Sequence, residues 1–245
     1  IETQQINTHG SLGEWVDNIY ETQQLVISTN TMSREDWIKC RAFGYMAALL
    51  HFDKLLQIPF ILMNKNYGIS YKRLTESFME ASTPVLLQCS KFFVDKAKNI
   101  QNGGPEYCES KDWLNIFWPA DEYCFIKLVT ENLLSDFYAE SLQLIKKILN
   151  NDVVFDGIIK DSVVFNEKLI KIPFVKSDIE VDLSYNIWDV FRANLIGEYI
   201  SLEQRNYKYT IDRSSNSWES WDDWYRKVVW YGNKKGAYLY SLRYN

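Results

Sequence analysis

The chain has 245 residues, 47% hydrophobic and 24% charged, enough apolar mass for about one or two domains, which excludes disorder and a disulfide-stapled mini-protein. Its 27 basic and 32 acidic residues leave a formal net charge of -5, which removes the electrostatic case for a DNA or RNA partner. Only 10 Gly and 5 Pro stand where average usage gives roughly 17 and 12, while 9 Trp, 16 Tyr and 13 Phe make up 16% of the chain, so long ring-packed helices are expected.

Residues 1–24 mix Gln, Asn, Thr and Gly and read as an irregular lead-in, followed by a short strand at Leu25 to Thr29. Ser33 has the features of a helix N-cap, with Asp36 as its reciprocal carboxylate. The apolar set Trp37, Cys40, Phe43, Gly44, Ala47, Leu50 and Leu55 then follows helical spacing, with the helix expected to stop at Pro59. Arg41, Asp53 and Lys54 interrupt this otherwise apolar cylinder. Ser70 caps a helix over Arg73 to Ala81. Thr83 and Pro84 open another, carrying Leu87, Phe92, Val94 and Ile100 and closing at Asn102-Gly103-Gly104. Beyond the loop around Pro105, Trp113 to Trp118 leads to Pro119, and Asp121 and Glu122 fall in a first turn, where the helix dipole favours acids. Helices through Val129 and Ile145 follow, closing at Asn150-Asn151.

The last third alternates strands and helices. Ile179 to Tyr185 alternates apolar and polar residues, as does Tyr207 to Ile211, and both read as strands. Asn186 is placed to cap a helix with Trp188, Phe191 and Leu195, ending at Gly197. Ser217 is placed to cap one with Trp218, Trp221, Trp224 and Val228 on one face, ending at Gly232, and Gly236 to Leu242 is a final strand or an extended tail. The fold class expected is mainly α, a multi-helix orthogonal bundle with a few short strands near the N-terminus and in the last third. Residues 1–32 form the lead-in and 33–245 the helical domain.

The four cysteines, at 40, 89, 108 and 124, lack metal-ligand spacing and read as free buried thiols. There is no N-x-S/T acceptor, no signal-peptide core in the first 24 residues, and no apolar run near the roughly 20 residues of a membrane helix. A cytoplasmic protein without a membrane span is expected, and the start at Ile1 rather than Met suggests a piece of a longer chain.

Three segments resemble a known family. Thr31-Met32-Ser33-Arg34-Glu35-Asp36-Trp37, continuing to Phe52-Asp53-Lys54-Leu55-Leu56-Gln57-Ile58-Pro59, resembles the helix after the catalytic barrel in radical SAM proteins of the cobalamin-binding type, related to the anaerobic magnesium-protoporphyrin monomethyl ester cyclase. Leu183-Ser184-Tyr185-Asn186-Ile187-Trp188-Asp189 resembles their Tyr-Asn-x-Trp signature, and Trp221 through Arg226 and Lys227 to Tyr240 resembles their C-terminal end. The radical SAM motif C-x-x-x-C-x-x-C is missing, since the cysteines are 49, 19 and 16 positions apart. The resemblance therefore implies a C-terminal accessory domain, not catalytic by itself and carrying no cofactor. Its partners would be the barrel of the same parent chain and a small-molecule substrate. The parent would hold a [4Fe–4S] cluster, S-adenosylmethionine and, for this type, cobalamin. The isolated piece would be prone to dimerise.

The site candidates each have a sharp and a plain reading. Asp36, Trp37 and Arg41 could face a pocket, with Arg41 clamping a carboxylate or phosphate, or Asp36 could complete a capping box while Arg41 pairs with an acid. Asp53 is costly to bury alone, so an ion pair with a distant Arg is expected. Trp221 and Trp224, with Trp218, are an aromatic platform or a core seam. Tyr185, Arg192 and Trp188 could line a pocket, and Arg226 belongs to the third segment. Lys234 and Lys235, within Gly232 to Gly236, could hold an anion or sit in a plain turn. His51 reads as a satisfied core imidazole. The alternatives to an accessory domain are a self-standing helical interaction module and an aromatic-platform ligand-binding domain.

Overall fold

A computed structural model describes residues 1–7, 21–150, 153–230 and 238–243. The architecture is mainly helical with short antiparallel strands, as expected. The chain opens with a ribbon of β1 (Glu2–Asn7) against β2 (Thr22–Ser28), with Ile6 opposite Gln23. For residues 2–7 and 22–24 this corrects the irregular lead-in, whose residues 8–20 lie outside the described ones. Of β1 only Ile6 is buried, so its polar sequence lacks the alternation that marks a half-buried strand.

Helix α1 (Arg34–Ala47) begins at the expected cap. The Ser33 hydroxyl accepts from the Asp36 amide (3.1 Å) and donates to the Asp36 carboxylate (2.7 Å). The helix lies on α4 (Pro84–Gln101), where Trp37, Ile27, Ala97 and Ile100 form a small satellite core. It does not run on to Pro59. It widens into a π turn, π1 (Ala48–Phe52), breaks, and restarts as α2 (Gln57–Tyr67) with the axis turned by 94°. Pro59 lies in the first turn of α2, where a missing N–H leaves no helix bond unmade.

Ser70 caps α3 (Tyr71–Met79) by accepting from the Arg73 amide (3.2 Å). At α4 the Thr83 side chain makes no capping bond. The carboxylate of Glu140, a distant residue, accepts from the Val85 and Leu86 amides at 3.0 Å instead. A hairpin of β3 (Cys108–Ser110) and β4 (Ile116–Trp118) precedes α5 (Ala120–Thr130) and α6 (Leu134–Ile148). Helix α7 (Val153–Leu169), which the sequence reading left unassigned, passes between α2, α6 and β5 (Ile179–Tyr185).

Strand β5, β6 (Gln204–Asp212) and β7 (Ser241–Arg243) form one antiparallel sheet in that order. Asn186 sits at the N-cap of α8 (Ile187–Leu195), but its amide bridges the Ser201 carbonyl and the Glu203 N–H instead of the helix. Helix α9 (Trp221–Trp224), which runs on as a second π turn, π2 (Tyr225–Trp230), is capped by Ser220 rather than Ser217. Trp218 therefore precedes the helix. The main core gathers side chains from α1 through π2 and the sheet, with Trp118, Trp224, Phe125, Phe165 and Tyr238 fully enclosed. Cys89, Cys108 and Cys124 are buried free thiols as expected. Cys40 is exposed, because it lies on the outer face of α1.

Candidate functional site

The break between π1 and α2 combines a π turn with a left-handed non-glycine residue. The Asp53 amide donates back to Ala48 (2.8 Å) and Leu56 back to Leu50 (2.8 Å), while Lys54 adopts φ 66. A non-glycine residue there is strained, and both such strain and π turns concentrate at functional sites. The turn is held from outside by Asn166 of α7. Its amide nitrogen donates to the Lys54 and Leu55 carbonyls (2.8 Å each), and its oxygen accepts from the Ile58 amide (3.0 Å). The Tyr138 hydroxyl adds a second bond to the Leu55 carbonyl (2.7 Å). Asn166 is fully enclosed, so this clamp is rigid.

What the clamp holds in place is Asp53, 0% exposed, with neither carboxylate oxygen hydrogen-bonded. Among the described residues, Asp53 does not make the expected ion pair with an Arg. The charges that bear on it are instead those of Asp121 and Glu122, in the first turn of α5, and these add to burial in pushing its carboxyl well above the usual range. Burial also raises Asp121. Tyr238, fully enclosed, is raised by burial and then by Asp53, and its hydroxyl donates to the Val229 carbonyl (3.0 Å). Burial and these two carboxylates thus favour the protonated form of Asp53, in which a carboxyl can donate one hydrogen bond and accept others.

The charge of Lys54 bears on His51 and on Lys171, the latter just past the end of α7. Burial lowers both lysines, and Lys54 lowers Lys171 further. His51 is half-buried between Phe52 and Tyr71, with its Nδ1 buried and unbonded, so it is not the satisfied imidazole expected.

The predicted site residues separate into three places. Asp36 serves the cap of α1. Arg41 donates to the Tyr45 hydroxyl (3.0 Å) and pairs with Glu106, lying over Trp37 and Tyr45, so it ties the 104–107 loop to α1. Trp188 is buried with its Nε1 unbonded, between Phe165 and Phe191, with exposed Arg192 over its ring (5.8 Å). Tyr185 on the same side comes within 3.2 Å of where a side chain at Gly157 would begin, and α7 can approach β5 because that residue is glycine.

Trp224 is fully enclosed and donates to the Lys171 carbonyl (2.9 Å). Trp221, half-buried, stacks on Tyr225. With Trp218 buried as well, these rings form a core seam rather than an open platform. Arg226 is exposed, and Lys234 and Lys235 lie outside the described residues. Sequence reasoning missed Asn166, Tyr138, Lys171 and Tyr238. The one available signal was Asp53-Lys54 inside an apolar helix pattern.

Among the described residues no group of three or more His, Cys, Asp and Glu side chains could hold a metal ion, and no single helix is long and apolar enough to cross a membrane. Neither a protein-family model nor a curated protein matches the chain.

Proposed function

We propose that this chain is the C-terminal accessory domain of a cytoplasmic radical SAM enzyme of the cobalamin-binding type, forming one wall of the substrate pocket beside the barrel of the same parent. One observation carries the reading: two of the segments that resemble the family, far apart in sequence, come together at Asp53, and the other packs beside the break. The first supplies Asp53 itself. The third supplies Tyr238, which bears on it. The second, through α8, packs on α2, the helix that restarts beyond the break. A buried carboxyl with no hydrogen-bond partner among the described residues, on a clamped turn, suits a group that meets substrate, because a bound ligand supplies the hydrogen bonds its burial leaves unmade. In this reading the helices cross orthogonally throughout, as they do at the α1–α2 corner, and the wall keeps water from radical intermediates.

The cluster, S-adenosylmethionine and cobalamin belong to the parent. The four cysteines here do not fit a cluster: Cys89 and Cys124 meet at 3.6 Å, whereas Cys40 lies exposed on α1. A second reading, a self-standing interaction module, draws on the exposed strip Leu195, Ile196, Tyr199 and Ile200.

Two measurements separate the readings. The coding sequence upstream of Ile1 should contain C-x-x-x-C-x-x-C, and its absence would sink the accessory-domain reading. In the parent enzyme, Asp53→Asn should lower substrate conversion while cleavage of S-adenosylmethionine persists. Unchanged conversion would take Asp53 out of the pocket.

A further inference from the structure

The Cys124 thiol of α5 donates to the Cys89 thiol of α4 at 3.6 Å, although 35 positions separate the two residues in the chain. The sulfurs are in contact, and a disulfide of about 2.05 Å would need them to close by roughly 1.5 Å. Both thiols are free and buried. A buried thiol is ordinarily inert, because neither an oxidant nor a second thiol reaches it. Here the second thiol is already in place.

A small oxidant has a place as well. Both cysteines line a cavity of about 20 Å³, together with Gln88, Phe92 and Lys127. That volume suits one molecule the size of water. Gln88 is exposed and Lys127 only partly buried, so the cavity reaches the surface and offers polar groups beside the sulfurs. Hydrogen peroxide is little larger than water and bonds to the same kinds of group, whereas glutathione disulfide is far too large to enter. The Cys124 thiol is held well above its usual range by the bond to Cys89 and by burial, against the opposing charge of Lys127. Little of it is thiolate at neutral pH, so its oxidation is slow and calls for peroxide in excess.

We propose that Cys89 and Cys124 are a peroxide-responsive dithiol that oxidises to a disulfide joining α4 to α5. One thiol gives up its proton and attacks a peroxide oxygen. The O–O bond breaks, leaving a sulfenic acid and a hydroxide, which takes up that proton as water. The second thiol attacks the sulfenic sulfur, the S–O bond breaks, and a second water leaves. Two electrons and two hydrogens thus pass from the pair to one peroxide, and a dithiol reductant reverses the link. The disulfide closes residues 89–124 into a covalent loop that carries the β3–β4 hairpin and the 104–107 segment tied by Arg41. The proposal does not rest on the accessory-domain reading and stands for any function of the chain.

The test treats the full chain carrying Cys40→Ser, which removes the exposed thiol, with excess hydrogen peroxide. Alkylation in denaturant and peptide mass mapping follow. A Cys89–Cys124 linked peptide should appear and be lost on treatment with dithiothreitol, with Cys108 alkylated throughout. The oxidised sample should melt several degrees above the same sample re-reduced with dithiothreitol, because the link restricts the unfolded chain. Adding Cys124→Ala should abolish that difference, whatever the starting stability of the variant. Glutathione disulfide at the same concentration should form the link at least about tenfold more slowly. Peroxide that leaves both residues as thiols, over-oxidises them without a link, or joins either to Cys108 would overturn the proposal, as would a linked sample that melts no higher than its re-reduced form. Equal rates with glutathione disulfide would overturn the assignment of a small oxidant.

Discussion

Asp53 shows what a single buried acid does to the pH dependence of folding. Its ordinary value is 3.8, and burial beside Asp121 and Glu122 raises it well above that in the folded state. Below about pH 4 both states hold the proton, and as pH rises the unfolded chain releases it first, so stability falls through the window up to the folded value. Asp53→Asn removes this slope while preserving shape. The variant is expected to melt above the wild type at pH 7–8 and to converge with it near pH 4. Calorimetric melting at both ends of that range checks this, and parallel curves would show that Asp53 is ionised when folded. Asn166→Ala should have the opposite effect. It removes the Asn166 bonds to the Lys54 carbonyl and the Ile58 amide, while the Leu55 carbonyl keeps Tyr138, a loss of about 2–4 kcal/mol by denaturant unfolding. The cost of burying Asp53 was legible in the sequence. Its neighbours were not, because Asp121 on α5 and Tyr238 before β7 are far from it in sequence and are related to it by tertiary packing rather than by spacing.

At the scale of elements, local chemistry was read well where it is closed within a few residues. Ser33 and Ser70 cap their helices as their patterns required, and Ser33→Ala is expected to lower stability by about 1 kcal/mol in chemical denaturation. An unchanged midpoint would mean that α1 is held by packing on α4 alone. Caps failed where a tertiary partner intervened, as with Glu140 at α4 and the loop-bound Asn186 at α8. The π turns were invisible for the same reason. A widened turn follows the same apolar spacing as an α-helix to within one residue, and only the clamp from α7 shows why the chain breaks at Asp53 instead of Pro59.

Across the whole molecule, the exposed apolar residues at the end of α8 stand out against an otherwise well-buried core. Leu195, Ile196, Tyr199 and Ile200 are 51%, 69%, 78% and 40% exposed. The accessory-domain reading gives this strip a partner in the parent chain, so the chain alone should self-associate at high concentration. Sedimentation should show the association, and Ile196→Glu combined with Tyr199→Glu should abolish it. A strictly monomeric wild type would leave the strip without its proposed role.

The sequence by itself determined the mainly helical class, the capped starts of α1 and α3, the strands β5 and β6, and the ring-rich core, because each follows from periodicity or from bonds between near neighbours. Tertiary structure alone decided that Arg41 ties a loop to α1, that the tryptophan seam is closed, and that among the described residues Asp53 has no hydrogen-bond partner. Those outcomes depend on which distant surfaces share a dry interior, and burial is a property of the assembled core, not of spacing along the chain.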